Sequence, residues 1–205
     1  MLPEELIAQT PLEPRDSARL LVDSASGLQH RHVSDIVEYL GAGDVLVVNH
    51  TRVLPARLKL KRRTGGAVEV LLLEERDAGQ LKWEALVRPG GKLLLGEELL
   101  DDSGDVMLRI GERTQAGDTF FVQFVARSHE EAMQKIMDTG EMPLPPYITT
   151  ALVDQSRYQT VFAHDQKSSA APTAGLHFTP ELLVRIREAG GRDSRSSISG
   201  WARHV

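Results

Sequence analysis

Cysteine is absent from this chain of 205 residues. Its absence excludes a disulfide framework, a thiolate metal site and a cysteine nucleophile. Bulk positive charge is lacking as well, because 24 basic residues are outnumbered by 29 acidic ones and the formal net charge is −5. The chain therefore does not hold nucleic acid by overall charge, although a local basic patch stays open.

Long apolar runs are also missing. No uninterrupted stretch reaches the ~20 residues that a membrane-spanning helix needs. The first residues, "MLPEELIAQTPLEPRDSARL", contain early acids and prolines instead of the apolar core of a signal peptide. We expect a cytoplasmic protein with no membrane contact.

Several catalytic signatures are absent too. The sequence has no phosphate-loop motif, no serine-nucleophile elbow and no HExxH, and "GAGD" precedes its strand, unlike a dinucleotide fingerprint. The "HRH" at residues 30–32 has no carboxylate or cysteine close by, so we expect a surface segment and no metal site.

What is present resembles an ordinary globular protein, with 41% hydrophobic and 26% charged residues. "RLLVD" at residues 19–23 predicts a short strand. "SDIVEYL" predicts a short helix capped by Ser34 and stopped by Gly41. The apolar run "DVLVVN" at residues 44–49 predicts a strand buried on both faces.

The middle of the chain changes character. Short strand-like runs separated by Gly, Asp and Ser predict a small antiparallel barrel or sandwich across residues 58–127. Residues 129–140 then have helical spacing and a glycine stop. "MPLPPYI" follows as a rigid, irregular connector. A last helix has Thr179 as its cap, Pro180 in its first turn and Gly190 beyond its end. The tail at residues 191–205 shows no regular pattern.

The stretch "SSAAPTAGLHFTPELL" combines small residues, a histidine and a helix start. Ala174 and Gly175 add little bulk and Gly175 permits a positive φ, so a ligand could approach the backbone closely. The helix beginning at Pro180 presents N–H groups suited to a carboxylate or phosphate. His177 is a candidate acid or base. A tight loop around a core histidine is the equal alternative.

The segment "NHTRVLPARL" leaves the predicted buried strand, where α/β folds place ligand-binding groups. Asn49 and Thr51 can hold a turn, and Arg52 and Arg57 offer bidentate donors to a carboxylate or phosphate. A structural turn with surface arginines explains the same residues and is the favoured interpretation when they are taken alone.

A third segment, "DQSRYQTVFA", offers Arg157, Tyr158 and Gln159 as stacking and hydrogen-bonding groups for a nucleobase. A strand with a polar lead-in is the more favoured alternative on these residues alone. The basic run "RLKLKRR" at residues 57–63 could touch RNA phosphates. A solvated hairpin tip is equally consistent with that run.

Five segments occur together in order: "RDSARLLV", "GDVLVVNHTRVLPARL", "GEMPLPPYI", "RYQTVFA" and "AAPTAGLHFT". With them the chain closely resembles the S-adenosylmethionine:tRNA ribosyltransferase-isomerase family of bacterial queuosine biosynthesis, over residues 1 to about 190. The resemblance implies a mixed α+β fold, with a small antiparallel β-barrel inserted into a larger α/β barrel-like domain that is incomplete here. The implied boundaries are 1–57 with 141–190 for the larger domain and 58–140 for the insert.

The resemblance also implies a reaction. The ribosyl part of S-adenosylmethionine is transferred to 7-aminomethyl-7-deazaguanine at the tRNA wobble position and isomerised to give epoxyqueuosine, with release of adenine and methionine. S-adenosylmethionine is then a consumed substrate and no cofactor is implied. The implied partner is the tRNA anticodon loop, bound by a monomer.

This chemistry needs a base beside the sulfonium carbon and a donor for the leaving adenine. We expect His177 to be the base, with Asp154 as its rival, and Tyr158 or Thr173 to be the donor. The methionine carboxylate could rest on the Pro180 helix or on Arg52. The candidate substrate-binding residues are Asn49, Thr51, Arg52, Arg57, Arg157, Gln159, Pro172, Ala174, Gly175 and Phe178.

The chain departs from the family pattern in three places. His50 stands where the family usually has Asp, and residues 167–169 replace a glycine. The tail at residues 191–205 replaces a longer C-terminal portion, which predicts a truncated or frameshifted copy of uncertain activity. The alternatives are a non-catalytic RNA-binding remnant using the basic run, or an unrelated small-molecule enzyme or binder.

Overall fold

A computed structural model describes residues 3–91, 93–115, 117–150, 152, 154–168 and 172–190. Within them it contains two α-helices, α1 (His129–Thr139) and α2 (Pro180–Glu188). No helix in the described part of the chain is long and apolar enough to cross a bilayer. The strands are β1 (Arg19–Ser24), β2 (Gly27–His32), β3 (Thr51–Val53), β4 (Arg57–Arg62), β5 (Ala67–Asp77), β6 (Lys82–Arg88), β7 (Glu98–Leu100), β8 (Val106–Arg113), β9 (Phe120–Phe124) and β10 (Asp165–Ser168).

Six strands close into an antiparallel barrel with the order β4-β5-β6-β9-β8-β7. Alternation along each strand sends every second side chain inward. On β5, for example, Val68, Val70 and Leu72 are buried, while the residues beside them are not. Closure leaves no unpaired edge for other chains to join. The predicted mixed α+β class and the small antiparallel barrel are confirmed.

The basic run at residues 57–63 contributes a barrel strand. Along β4, Leu58 and Leu60 lie in the barrel core, while Lys59 and Lys61 point outward. The run "KLLLGEEL" was predicted to be a strand, but most of it is not one. Only Glu98–Leu100 forms β7, and Leu94 and Leu95 are exposed in the loop before it.

Helix α1 follows the barrel and packs into its core through Ala132 and Ile136. The Ser128 hydroxyl caps the helix by accepting the Glu131 N–H at 3.1 Å. The predicted glycine stop is confirmed at Gly140. A Cβ there would lie 1.8 Å from the Pro55 carbonyl oxygen, so glycine is required by close approach.

The chain divides into two compact units. The barrel unit comprises residues 1–9, 50–159 and 163–171, and the second unit comprises residues 10–49, 160–162 and 172–205. This division follows spatial clustering. The sequence-based domain boundaries at residues 57, 58, 140 and 141 stay a prediction.

The second unit contains the β1–β2 hairpin, a 3₁₀ helix at Val33–Tyr39 and α2. Among its described residues, the buried core contains Val33, Phe178, Leu182 and Ile186. The strand predicted from "RLLVD" is confirmed as β1. The predicted helix after it is a 3₁₀ helix that begins at Val33, one residue before the predicted cap Ser34, because the Asp35 carboxylate accepts the His32 N–H at 2.9 Å.

The prediction of a doubly buried strand at residues 44–49 is wrong for this structure. The segment forms only an isolated bridge at Val45. Val45 is 61% exposed and Val47 is 71% exposed, whereas Leu46 packs against the core of the second unit. The sequence pattern is that of a strand covered on two sides, and within the described part of the chain only one side packs on a core.

Candidate functional site

The histidine-bearing loop is built as a single tight turn. Residues Thr173–His177 form a 3₁₀ helix, in which the Gly175 N–H donates to the Pro172 carbonyl at 2.8 Å. The Phe178 N–H then donates to the Gly175 carbonyl at 3.3 Å. Thr173 and Ala174 are exposed on this turn. The loop therefore presents small side chains and backbone to solvent. The preceding residues 169–171 lie outside the described part of the chain.

His177 is half-buried and its Nδ1 lies 3.2 Å from the Ala174 carbonyl oxygen. A carbonyl oxygen only accepts hydrogen bonds, so Nδ1 must carry the hydrogen in this contact. In the neutral ring, Nε2 then holds the lone pair. The turn thus fixes the tautomer that leaves Nε2 as the basic atom.

Glycine is required at position 175 because the Thr160 side chain lies close to it, and not because the backbone has a positive φ. Gly175 is not among the glycines with positive φ, and a Cβ built on it would lie 3.1 Å from Cγ2 of Thr160. Thr160 is itself buried. The expectation that Gly175 supplies left-handed backbone is therefore corrected, and its function is to let the turn pack against Thr160.

Phe178 belongs to the core of the second unit. Its side chain is 9% exposed, and its ring centroid lies 5.7 Å from that of Phe162 at an interplanar angle of 58°. A tilted pair of this kind is a favourable aromatic contact. Phe178 thus anchors the end of the turn from inside.

Helix α2 begins immediately after the turn. The Thr179 hydroxyl accepts the Leu182 N–H at 3.1 Å, and Pro180 has no N–H to offer. Glu181 also places an acid in the first turn. The predicted anion-binding helix end is therefore partly satisfied by its own cap, and its positive end already faces a carboxylate.

Arg15 was missed by the sequence interpretation. Its Nη1 donates to the Leu176 carbonyl at 3.5 Å, which brings a guanidinium against the histidine-bearing turn. The only sequence feature that could have indicated a role for Arg15 was its position in the segment "RDSARLLV". An arginine beside this loop is a stronger candidate for a carboxylate than a capped helix end.

In the barrel unit, β3 pairs in parallel with β10, so that Thr51 faces Asp165 and Arg52 faces Gln166 in the register. The His164 N–H also donates to the His50 carbonyl at 2.9 Å. Thr51 is half-buried and Arg52 is exposed. Arg52 therefore lies in the middle of the short strand β3 instead of in a loop, with its side chain open to solvent.

Gln159 acts like a neighbouring strand toward Val53. Its Oε1 accepts the Val53 N–H at 2.9 Å and its Nε2 donates to the Val53 carbonyl at 2.7 Å. Both ends of the amide are thus engaged by backbone. Gln159 holds the end of β3 in place, and these contacts compete with the nucleobase contact expected from the sequence.

Tyr158 ends a 3₁₀ helix at Gln155–Tyr158 and is half-buried. Burial raises the pKa of its phenol above the usual value, and the nearby Tyr147 raises that pKa further. Because the neutral form is favoured, Tyr158 is a hydrogen donor at neutral pH and not a base. Asp154 caps the same helix by accepting the Ser156 N–H at 2.9 Å, and Arg157 is half-buried.

Arg57 is a barrel residue, which corrects its placement in a ligand loop. It starts β4, its N–H donates to the Glu141 carbonyl at 3.1 Å, and its Nη2 donates to the Leu144 carbonyl at 3.4 Å. The other cations of the basic run face carboxylates: the pairs are Lys59–Glu141, Lys61–Asp102, Arg62–Glu97 and Arg63–Glu98. This pairing weakens the interpretation of the run as a phosphate-binding strip.

A groove of about 520 Å³ lies on the barrel, lined in part by Arg109, Arg127 and His129. Each of these side chains also has an acid nearby: Arg109 is 3.3 Å from Glu98, Arg127 is 3.3 Å from Glu131, and His129 is 2.7 Å from Glu75. The groove contains none of the residues singled out from the sequence. It is therefore not a ready anion site.

The candidate residues fall into two groups. The second unit holds the histidine-bearing turn together with Asn49, which is exposed. The barrel unit holds Thr51, Arg52, Arg57, Asp154, Arg157, Tyr158 and Gln159. In the barrel unit, Gln159 ties the segment that carries Tyr158 to the strand that carries Arg52.

A closed six-stranded barrel, accompanied by a unit with a histidine-bearing turn, defines a mixed α+β protein with a candidate ligand-binding loop. The model of the family described as "Queuosine biosynthesis protein" matches residues 1–195. The chain belongs to this family. The resemblance stated from the sequence motifs is thereby confirmed.

Relatives named "S-adenosylmethionine:tRNA ribosyltransferase-isomerase" are similar to the chain. Those from Moorella thermoacetica and Pelotomaculum thermopropionicum are each 48% identical over 192 residues, which is 92% of this chain and 55% of each relative. The protein from Staphylococcus aureus (strain Newman) is 47% identical over 195 residues, with the same shares. A crystal structure of S-adenosylmethionine tRNA ribosyltransferase from Thermotoga maritima is 34% identical, covers 94% of this chain and 54% of that chain, and has a TM-score of 0.35. The chain spans about half the length of the relatives it matches.

Proposed function

We propose that this chain carries catalytic and binding residues of an S-adenosylmethionine:tRNA ribosyltransferase-isomerase. The reaction transfers the ribosyl part of S-adenosylmethionine to 7-aminomethyl-7-deazaguanine at the tRNA wobble position and isomerises it to give epoxyqueuosine. Adenine and methionine are released. The observation that carries the proposal is the 48% identity to proteins of that name over 92% of the chain.

In this proposal His177 is the general base. A sulfonium makes the hydrogens on its adjacent carbon acidic, so a base positioned beside that carbon can start the rearrangement. The contact with the Ala174 carbonyl supports this role because it leaves Nε2 as the basic atom. Asp154 is the rival base, and its cap contact with the Ser156 N–H accounts for one of its oxygens.

Departure of adenine requires a hydrogen donor, and Tyr158 is the better of the two candidates. Its raised pKa keeps the phenol protonated at neutral pH. Thr173, which is exposed on the turn, is the alternative donor. A hydroxyl of either type can donate to a ring nitrogen of the leaving base.

Substrate binding is assigned to the backbone of the turn, where Pro172, Ala174 and Gly175 add little bulk. Arg52, which is exposed, or the guanidinium of Arg15 would pair with the methionine carboxylate. S-adenosylmethionine is consumed, so no resident cofactor or metal is proposed. The macromolecular partner is the single-stranded anticodon loop, met in the cytoplasm by a monomer.

The test is release of adenine and methionine from S-adenosylmethionine in the presence of tRNA carrying the precursor base. The assay is run on the chain alone and on the chain co-expressed with the part of the M. thermoacetica relative outside the aligned 192 residues. Release that depends on the precursor base supports the proposal. Binding of the anticodon stem-loop without any release, in both preparations, would favour the non-catalytic alternative instead.

A further inference from the structure

The proline-rich connector carries an exposed aromatic side chain. Tyr147, in the segment "MPLPPYI", is 55% exposed and is the most exposed aromatic residue in the described part of the chain. A tyrosine ring offers a large, rigid face to a ligand, and few torsions have to be fixed when the ligand binds. Tyr147 is therefore a candidate contact residue, although the sequence patterns did not indicate it.

The backbone on both sides of Tyr147 is held by one side chain from the start of the chain. Nε2 of Gln9 donates to the Tyr147 carbonyl at 3.0 Å, and Oε1 of Gln9 accepts the Thr149 N–H at 2.9 Å. The Ile148 N–H donates to the Pro145 carbonyl at 3.0 Å, and proline restricts the chain before Tyr147. The ring thus projects from an ordered backbone, so little conformational entropy is lost on binding.

Tyr147 lies near Tyr158, the donor proposed for the leaving adenine, and both belong to the barrel unit. Burial is the main cause of the raised pKa of Tyr158, and the Tyr147 phenol adds to it because the two side chains are close to each other. The amide of Gln159, the next residue, is engaged at both ends by the Val53 backbone. Tyr147 is therefore better placed than Gln159 to contact a nucleobase beside Tyr158.

We propose that Tyr147 binds the adenine of S-adenosylmethionine by stacking on it, and that Gln9 is a positioning residue that acts through Tyr147. The exposed ring covers one face of the base, while the half-buried Tyr158 donates to a ring nitrogen at the edge of the base. This inference rests on the proposed function, because the proposed reaction supplies the adenine.

The test is calorimetric titration of S-adenosylmethionine without tRNA, on the same two preparations as the assay of adenine release. Tyr147→Ala should weaken binding by roughly 5- to 150-fold, the usual loss of one base-stacking contact. Tyr147→Phe keeps the ring and should bind almost as the unchanged chain does. The matched control is Tyr39→Ala, because Tyr39 is a tyrosine with 42% exposure and should leave the affinity unchanged. Circular dichroism of each variant checks folding.

The positioning function of Gln9 is tested by a double-mutant cycle. Gln9→Ala should weaken binding of S-adenosylmethionine by a smaller factor than Tyr147→Ala does. The variant with both changes should bind no more weakly than Tyr147→Ala alone, since Gln9 acts through the ring that has been removed. Additive losses would show that Gln9 does not act through Tyr147.

Three results would overturn the stacking contact. They are equal affinities of Tyr147→Ala and Tyr39→Ala, no binding of S-adenosylmethionine by either preparation, and a loss confined to binding of the tRNA anticodon stem-loop, which would assign Tyr147 to an RNA base. The proposed function fails separately. Binding that depends on Tyr147 without any release of adenine would keep the stacking contact and remove the reaction.

Discussion

The barrel and the second unit differ in how much apolar side chain each one buries. Among the residues that the structure describes, the core cluster that contains the barrel has 19 buried residues, including two from α1, whereas that of the second unit has four. Of the 13 large apolar residues that are exposed in the described chain, eight lie in the second unit. A closed barrel satisfies its own edges, whereas the β1–β2 sheet in the described part of the second unit is an open pair of strands.

This difference has a bearing on function. The histidine-bearing turn lies in the unit with the smaller core, while Tyr158 and Arg52 lie in the unit with the larger one. Segments with few buried apolar contacts open at lower free energy than well-packed cores do. The turn therefore needs local devices such as the Gly175–Thr160 contact to hold its shape.

The largest expected effect is a loss of turnover when the histidine of the second unit is replaced. Under the proposed function, replacing His177 by Ala should lower turnover by about 10²- to 10⁴-fold, the usual contribution of a general base, while S-adenosylmethionine still binds. Adenine release and calorimetric binding measure the two effects separately. His30→Ala, on the exposed hairpin of the same unit, is the control and should leave turnover unchanged. Equal turnover in both variants would remove His177 from the mechanism.

A matched pair of core substitutions tests the packing difference directly. Leu58→Ala in the barrel and Leu182→Ala in α2 remove the same atoms from sites with 0% exposure. Each should lower the free energy of unfolding of its own unit by about 2–5 kcal/mol. We expect the barrel to stay folded and the second unit to lose protection in hydrogen exchange, because the core of its described part has four residues.

A single common transition, lowered equally by Leu58→Ala and Leu182→Ala, would break the comparison, since the two units would then unfold as one. Hydrogen exchange distinguishes the cases because it reports each unit separately.

The Gly175 contact gives an effect of intermediate size. Gly175→Ala puts a Cβ 3.1 Å from Cγ2 of Thr160 and should destabilise the second unit by about 1–3 kcal/mol. Thr160→Ser removes that methyl group and keeps the hydroxyl, so the double variant should recover much of the loss in a thermal unfolding cycle. Gly91→Ala, which meets no atom within 4 Å, is the control. Additive effects of the two changes would show that the contact is not the cause.

The smallest expected effect is the pH dependence of the barrel's free energy of unfolding. Hydrogen bonds from the Thr119 hydroxyl and, second, from Arg76 lower the pKa of Glu84 below its ordinary value. Hydrogen bonds from Arg62 and, second, from the Leu94 N–H lower the pKa of Glu97 in the same way. A carboxylate whose pKa is lower in the folded state than in the unfolded state stabilises the fold at pH values above its unfolded pKa of 4.5. This stabilisation is lost as the pH falls through the lowered folded-state pKa. Unfolding free energy should therefore drop between neutral pH and pH 3.

Since partly exposed ion pairs contribute about 0–1 kcal/mol, the change per carboxylate is modest. Glu84→Gln should flatten the pH profile measured by denaturant titration, and Glu188→Gln on the exposed end of α2 should leave the profile as it was. A barrel whose stability does not fall toward pH 3 would contradict this account.

Local patterns predicted much of the fold. Alternation and turn residues located the barrel across residues 58–127, and cap chemistry located α1 and α2, because the sequence signals for both are short-range. The prediction of a doubly buried strand at residues 44–49 was wrong because periodicity and composition show only which surroundings a strand is suited to. They do not show whether those surroundings are present in this chain.

The candidate site was only partly accessible to sequence reasoning. His177 could be selected from its residue type and its neighbours, but its tautomer depends on the Ala174 carbonyl and required coordinates. Gly175 was selected for conformational freedom, and its real constraint is Thr160, which is 15 residues away. Arg15 and the Gln159–Val53 pairing connect positions more than 100 residues apart, which no local pattern encodes.

The pairing of Gln159 with Val53 has one further consequence. The Gln159 side chain links the segment that carries Tyr158 to β3, just before the first barrel strand, so the position of that phenol depends on the backbone of Val53. Under the proposed function, attempts to alter which nucleoside is accepted should therefore leave Gln159 untouched and vary Ala174, whose side chain is exposed.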